Sequence, residues 1–174
     1  ETEITDVTVT PSADLVYNGN EQVLATLSGT KQGDTVSYKI DGNATEELKG
    51  TDAKEYSLEI TVSRENYKDY VWTETVEIKK AQITGITVTP YSGIYDKSEH
   101  DALTVEGLEN SDIVTYIIDG KEVNDMPKIT NAGNYPITLK VSRDGYAPYS
   151  QIYTAVISKA NAEITAELNQ SAEY

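Results

Sequence analysis

The sequence has no cysteine, no phenylalanine, and only one each of histidine, tryptophan and methionine among its 174 residues. Without cysteine, any hydrophobic core must hold together without disulfide bonds. The single histidine, His100, stands next to Glu99, but no recognisable Ser or Cys nucleophile motif accompanies it. We interpret His100 as a solvated turn residue, and we predict that the protein is not an enzyme and uses no cofactor.

Long apolar runs are also missing from the sequence. No stretch approaches the roughly 18 consecutive apolar residues that span a bilayer, so we predict no membrane insertion. The sequence begins at Glu1 with neither a signal peptide nor an anchor motif. We therefore expect it to be a piece of a longer protein.

Basic residues are scarce, because 14 Lys and Arg stand against 29 Asp and Glu, which gives a formal net charge of −15. Both halves are acidic: residues 1–80 carry 16 acidic and 8 basic side chains, and the remainder carries 13 and 6. Phosphate backbones are bound by clustered Lys and Arg, and an acidic surface repels them. We therefore predict no nucleic-acid partner and no binding to anionic membranes.

The most prominent feature that the sequence does contain is a repeat. Residues 4–11 read ITDVTVTP and residues 83–90 read ITGITVTP, and Val62-Ser63-Arg64 recurs as Val141-Ser142-Arg143. A fixed period of this length indicates tandem copies of one module. We predict a first module over residues 1–80, a second over residues 81–160, and the start of a truncated third repeat or a C-terminal extension over residues 161–174.

Apolar and polar residues alternate in short runs. Such runs are Tyr56, Leu58, Ile60 and Val62 in the first copy and Tyr135, Ile137, Leu139 and Val141 in the second. This period of two is typical of strands with one buried face, and no comparable helical period occurs. Short strands separated by turn residues predict an all-β sandwich or barrel.

Two Asp-Gly pairs, Asp41-Gly42 and Asp119-Gly120, follow such strands and have two interpretations. Asp-Gly is a signal for a two-residue β-hairpin turn. Nearby carboxylates also resemble the oxygen ligands that Ca²⁺ prefers; these are Asp34 with Asp41, and Asp112 with Asp119 and Asp125. Because no EF-hand spacing occurs, we favour the turns and predict no metal site.

Residues 51–56 read TDAKEY and residues 130–135 read TNAGNY. An Asp or Asn, an Ala, a turn residue and then a Tyr that opens a strand are typical of a tyrosine corner, whose hydroxyl bonds to upstream backbone. We predict structural tyrosine corners at Tyr56 and Tyr135, and hence two tandem immunoglobulin-like β-sandwich modules. The alternative is that both tyrosines are ordinary half-buried strand residues.

Longer strings in both copies resemble the bacterial Ig-like repeats of the MBG/YDG type. These strings are LVYNGNEQ, GDTVSYKIDG and TDAKEYSLEITVSRENY in the first copy, and GIYDKSEH, SDIVTYIIDG and TNAGNYPITLKVSRDGY in the second. The sequence departs from the pattern at Lys54, where the family usually has glycine, and at Lys97, where Gly19 stands in the first copy. The resemblance implies a tandem module of secreted or wall-attached proteins, chiefly of Gram-positive bacteria, with an extracellular or cell-surface location and no catalytic residues.

Aromatic residues offer a second functional hypothesis. Tyr70 and Trp72 fall on one face of a predicted strand, and exposed rings can stack on the apolar faces of sugars. In the second copy Gln151 takes the position of Trp72. The other interpretation of Trp72 is a ring that covers the core or the junction between modules, which is the commoner environment of tryptophan.

We predict that the chain is a non-catalytic stalk or spacer, or an adhesion module, of a bacterial cell-surface protein. Residues 78–83, between the two copies, contain no Gly, Pro or Ser and so lack the composition of a flexible linker. The expected partners are other domains of the same surface protein and a host or polysaccharide ligand. The alternative is a carbohydrate-binding module that uses Tyr70 and Trp72.

Overall fold

The computed structural model describes residues 2–162, and within that range the chain forms β-strands and turns without a helix. The predicted all-β fold is therefore confirmed. Residues 163–174, which contain most of the predicted third repeat or C-terminal extension, lie outside the described residues.

The two copies have the same succession of strands. The strands of the first copy are β1 (Thr2–Glu3), β2 (Thr8–Pro11), β3 (Leu15–Val16), β4 (Gln22–Val23), β5 (Ala25–Ser28), β6 (Thr35–Ile40), β7 (Asn43–Thr45), β8 (Lys49–Gly50), β9 (Glu55–Ser63), β10 (Tyr67–Lys68) and β11 (Tyr70–Lys79). The strands of the second copy are β12 (Ala81–Gln82), β13 (Thr87–Pro90), β14 (Ser92–Ile94), β15 (His100–Asp101), β16 (Leu103–Glu106), β17 (Ile113–Ile118), β18 (Lys121–Val123), β19 (Lys128–Ile129), β20 (Gly133–Ser142), β21 (Tyr146–Ala147) and β22 (Tyr149–Ser158).

Strand β9 is the centre of a five-stranded sheet in the first copy, with the order β3-β11-β9-β6-β7. It is antiparallel to β11 and to β6. Strand β3 instead runs parallel to the end of β11, with Leu15 opposite Ile78 and Val16 opposite Lys79. The antiparallel pairs β2–β5 and β4–β8 and the short parallel pair β1–β10 complete the copy.

One hydrophobic core lies between these two sets of strands. Its buried members are Ile4, Val7, Leu24, Ala25, Leu48, Tyr56, Leu58, Ile60, Val62, Val76 and Ile78. Strand β9 contributes every second residue to it, because successive side chains of a strand point to opposite faces. Each fully buried aliphatic side chain contributes roughly 1.5–3 kcal/mol, so the copy is stabilised without disulfide bonds.

The second copy repeats this topology with the sheet order β14-β22-β20-β17-β18 and the pairs β13–β16 and β15–β19. Strand β14 is parallel to β22, with Ser92 opposite Val156 and Ile94 opposite Ser158. Its buried residues include Ala102, Leu103, Tyr116, Ile129, Ile137, Leu139, Val141, Ala155 and Ile157. The predicted immunoglobulin-like β-sandwich thus describes each copy.

The two Asp-Gly pairs form hairpin turns, as predicted. Asp41 and Gly42 have φ angles of 52° and 80° and join β6 to β7, with Ile40 opposite Asn43. Asp119 and Gly120 have φ angles of 51° and 74° and join β17 to β18. Two central residues with positive φ define a type I′ turn, whose twist matches that of the flanking strands.

The chain divides into two compact units whose limits differ slightly from the limits of the repeat. The first unit extends to Ile83 and also includes Ser142–Pro148. Among the described residues, the second unit consists of 84–141 and 149–162. The module limits at residues 80 and 160 stay predictions.

Candidate functional site

The hydroxyl groups of Tyr56 and Tyr135, near the starts of β9 and β20, bond to backbone four residues upstream. Tyr56 Oη donates to the Asp52 carbonyl oxygen at 3.0 Å, and Tyr135 Oη donates to the Asn131 carbonyl oxygen at 2.6 Å. Tyr56 is 5% exposed, whereas Tyr135 is half-buried. That these bonds fix the crossing between the two sheets stays a prediction.

A charged cluster lies at the end of β9 in the first copy. Arg64 donates from Nε and Nη2 to the two carboxylate oxygens of Asp34, at 2.7 and 2.8 Å, and from Nη1 to Asp6 Oδ1 at 3.0 Å. The Asp34 side chain is only 1% exposed, and hydrogen bonds from Arg64 lower its pKa to about 2. Lys31 also pairs with Asp6, and hydrogen bonds from Lys31 and Arg64 lower the Asp6 pKa.

The second copy keeps parts of this arrangement. The Asp112 carboxylate accepts the backbone N–H of Glu109 at 2.8 Å, as the Asp34 carboxylate accepts the N–H of Lys31 at the same distance. The guanidinium of Arg143 lies 5.0 Å from the ring centre of Tyr146, as that of Arg64 lies 5.3 Å from the ring centre of Tyr67. Recurrence at equivalent positions indicates that these charges support the fold.

Three of the carboxylates considered as calcium ligands, those of Asp34, Asp41 and Asp112, accept hydrogen bonds from cations or backbone amides. Asp41 accepts hydrogen bonds from Lys54 Nζ at 2.7 Å and from the Ser57 N–H at 2.9 Å, which lower its pKa. Lys54 Nζ also lies 4.6 Å from the ring centre of Tyr56, so the residue that departs from the family pattern contacts the predicted corner. Within residues 2–162, no group of three or more His, Cys, Asp or Glu side chains is arranged to hold a metal ion.

The two residues predicted as carbohydrate contacts, Tyr70 and Trp72, lie on the core-facing side of β11. Tyr70 stands opposite Val62 and Trp72 opposite Ile60, and both aliphatic partners are fully buried. Both rings are half-buried and pack against the hydrophobic core of the first copy. Part of each ring is therefore engaged within the protein.

The equivalent face of β22 in the second copy carries Tyr149, Gln151 and Tyr153. The Tyr149 hydroxyl donates to Gln151 Oε1 at 3.1 Å and lies 2.5 Å from the Tyr153 hydroxyl. Burial, together with the hydrogen bond to Tyr149, raises the pKa of Tyr153 to about 12. In the second copy, a hydrogen-bonded group of polar side chains thus includes Gln151, the residue at the position of Trp72.

His100 is half-buried rather than fully solvated, which departs from the turn residue expected from the sequence. Its Nε2 lies 3.0 Å from Asp96 Oδ1, and its ring stacks on Tyr91 with centroids 4.3 Å apart. Hydrogen bonding to His100 lowers the pKa of Asp96. The sequence indicated Glu99 as the acidic neighbour and missed Asp96, since only the fold brings residue 96 to the ring.

A cleft in the first copy was not predicted from the sequence. It has a volume of about 320 Å³, and its apolar lining consists of Val23, Ala25, Leu27, Tyr38 and Leu48. Glu46, Glu47 and Lys49 form its charged rim. One sequence signal existed, because Ala25 occupies the position that a larger Leu103 holds in the second copy.

Comparison with known proteins identifies no family. No family model and no curated protein matches the chain, so the MBG/YDG-type resemblance stays a prediction. Among solved structures, the chain is similar to a Bacteroides ovatus protein described as the mixed-linkage glucan utilization locus SGBP-B in complex with a mixed-linkage heptasaccharide. The identity is 15%, the TM-score is 0.30, and the match covers 90% of this chain and 48% of that one.

This chain thus spans about half the length of the glucan-utilization protein. No helix in the part of the chain that the structure describes is long and apolar enough to cross a membrane.

Proposed function

We propose that the chain is a non-catalytic, load-bearing spacer of a bacterial protein that acts at the cell surface or outside the cell. The observation that carries the proposal is the parallel pairing of an early strand with the last strand in each copy. These pairs are β3 with β11 in the first copy and β14 with β22 in the second.

Parallel pairing matters because of the direction in which force enters a module. Tension pulls the early strand backward from its N-terminal end and the last strand forward from its C-terminal end. Two parallel strands then slide along each other, so all their hydrogen bonds are loaded together. An antiparallel hairpin pulled from its open end would instead lose its hydrogen bonds one after another.

The backbone hydrogen bonds of these pairs have normal lengths. The Tyr17 N–H donates to the Lys79 carbonyl at 2.9 Å in the first copy, and the Tyr95 N–H donates to the Ser158 carbonyl at 2.8 Å in the second. Val156 N–H also donates to the Tyr91 carbonyl at 2.8 Å. Each copy thus joins an early strand to its last long strand.

The polar groups support a spacer for a second reason. The tyrosine hydroxyls and the Asp-Gly turns have counterparts in the other copy, the Arg64 cluster has a partial one, and all of them act within the fold. The formal charge of −15 keeps such modules soluble and apart. Adhesion, a Gram-positive origin and other domains of the same protein as partners belong to this proposal as expectations.

Single-molecule force spectroscopy on the whole chain, held by its two ends, tests the spacer function. We compare Tyr95→Pro, which removes the N–H that donates to Ser158, with Tyr95→Ala, which keeps that N–H and removes the same ring. We expect two unfolding events in the unmodified chain. In Tyr95→Pro one event should move to a clearly lower force than in Tyr95→Ala, while the other should stay unchanged. Equal forces for the two variants would contradict a load-bearing role for the β14–β22 pair.

The carbohydrate-binding alternative remains distinct and has its own measurement. Trp72 is the single tryptophan, so its fluorescence reports on the predicted site. Because its ring packs against the core, we expect no change in its emission with soluble polysaccharides, mixed-linkage glucan included. Saturable quenching that is lost in Tyr70→Ala would favour the carbohydrate-binding module over the spacer.

A further inference from the structure

The cleft in the first copy lies at a position where the side chains of the two modules differ. Ala25 pairs with Pro11 in the first copy, and Leu103 pairs with Pro90 in the second, so the two residues hold the same place. Leucine is larger than alanine by three carbon atoms. The first copy therefore lacks side-chain volume at a position that the second copy fills.

The exposure of the tyrosine that lies near this position differs between the two copies. Tyr116 is only 5% exposed in the second copy, where Leu103 is 2% exposed. The equivalent Tyr38 is half-buried and lines the cleft. Val23, at the mouth of the cleft, is 44% exposed, so the missing volume opens to the surface as an apolar depression.

The rim of this depression is acidic. Glu46 and Glu47 stand on it, and Lys49 pairs with Glu47 and lies 3.4 Å from Glu21. Two carboxylates thus contact one ammonium group, and Glu46 adds a third carboxylate to the rim, on a chain that is itself strongly acidic. The Thr45 hydroxyl donates to the Glu47 carbonyl at 3.0 Å and holds this rim segment in place.

The strand next to the rim offers a backbone edge. Strand β7 is the last strand of the five-stranded sheet and ends at Thr45, directly before Glu46. An extended peptide can add to such an edge through main-chain hydrogen bonds while one side chain enters a pocket. This arrangement favours a polypeptide over a small amine.

We propose that this cleft binds a basic peptide segment, with an apolar side chain in the depression and an adjacent Lys or Arg against the rim glutamates. The apolar lining selects the first side chain and the charge of the rim selects the second. This binding site is independent of the spacer function, because a chain that bears no load could still bind the peptide.

Titration of the ¹⁵N-labelled whole chain, followed by amide chemical shifts, tests the proposal. The probe is the acetylated and amidated peptide Leu-Lys-Leu-Lys-Leu. Its comparators replace every Lys by Glu, or every Leu by Ser, and hexylamine serves as the small cation. We expect saturable shifts at Val23, Ala25 and Leu48 with the probe alone, while the amides of Leu103 and Tyr116 stay in place as an internal control.

Two variants divide the site into its apolar and charged parts. Ala25→Leu copies the second module and should weaken binding of the probe by at least about tenfold, whereas Ala13→Leu adds the same bulk at an exposed position and should not. The double variant Glu46→Gln with Glu47→Gln should weaken binding by a similar factor and reduce its dependence on salt. If Ala25→Leu is overpacked and fails to fold, the double variant Glu46→Gln with Glu47→Gln tests the binding site in its place.

Several outcomes would overturn the assignment. A folded Ala25→Leu variant that binds the probe as tightly as the unmodified chain excludes the cleft. Equal binding of the Glu-containing peptide excludes the role of the rim charges. Shifts of the same size with hexylamine exclude a peptide as the specific ligand, and shifts that appear equally in the second copy exclude a site peculiar to the first.

Discussion

Tyrosine hydroxyls and aspartate carboxylates make specific side-chain hydrogen bonds in each copy. Tyr56 and Tyr135 bond to backbone carbonyls four residues upstream, although one ring is buried and the other half-buried. The Asp34 carboxylate accepts hydrogen bonds from Nε and Nη2 of Arg64 and from the backbone N–H of Lys31. The Tyr56 hydroxyl and the Asp34 carboxylate lie where water reaches them poorly, so their hydrogen-bond partners become important.

Removal of the Tyr56 hydroxyl tests the predicted corner. We expect Tyr56→Phe to lower the free energy of unfolding by about 1 kcal/mol, because the Asp52 carbonyl loses a hydrogen bond at a nearly buried site. The matched variant Tyr135→Phe should lose less, since water can replace the hydroxyl beside a half-exposed ring. Urea unfolding measures both. A value near zero for Tyr56→Phe would leave the tyrosine as an ordinary strand residue.

The lowered pKa of Asp34 predicts that the stability of the first copy depends on pH in the acidic range. The pKa of this carboxylate is lowered to about 2 in the folded chain from 3.8, so its contribution is present above about pH 4 and is lost as the pH falls toward 2. Asp34→Asn should be less stable at pH 7, because Arg64 loses its bidentate partner, and should lose less stability between pH 4 and 2. Unfolding by urea at several pH values checks this, with Glu74→Gln on an exposed position as the charge control. Parallel pH curves for Asp34→Asn and the unmodified chain would contradict the prediction.

At the scale of strands, each copy depends on turns that bring two elements unusually close. Gly29, directly after β5, has a φ of +82°, and a Cβ there would overlap the Asp6 carbonyl oxygen. Gly107 has a φ of +81° after β16 and meets the Gly85 carbonyl in the same way. The repeat thus preserves a close backbone approach at the end of the β2–β5 and β13–β16 pairs.

Substitution of Gly29 by alanine should therefore lower the free energy of unfolding more than the same substitution at a turn with open space, such as Gly42. We expect Gly29→Ala to lose about 1 kcal/mol from its positive φ and roughly a further 1–3 kcal/mol from overlap with Asp6. Gly42→Ala is the matched control, because its φ is +80° and a Cβ there meets nothing within 4 Å. Thermal unfolding compares the two, and equal losses would mean that the backbone near Asp6 adjusts to the added carbon.

At the scale of the whole molecule, duplication separates shared from individual features. The strand order, the parallel β3–β11 and β14–β22 pairs and the Asp-Gly turns occur in both copies, and the spacer proposal rests on them. The cleft lined by Ala25 and Tyr38 occurs where the copies differ, and the peptide proposal rests on it. The force and titration experiments therefore examine different parts of the same chain.

The sequence predicted the site residues less completely than it predicted the fold. Trp72 was open to two interpretations, because a single aromatic residue on an alternating strand faces either core or solvent according to the sheet register. The register places it opposite the buried Ile60. The neighbour of His100 was also missed, since Asp96 reaches the imidazole only through the turn between β14 and β15.

The sequence by itself determined the all-β class, the duplication, the alternating strands and the Asp-Gly hairpins, because these depend on residues close together in the chain. Only the tertiary structure decided that Arg64 joins Asp34 and Asp6, which lie 30 and 58 positions away. It alone decided that β3 runs beside the end of β11 and that Ala25 leaves a cleft. These features arise where distant segments meet, and local patterns do not specify which segments those are.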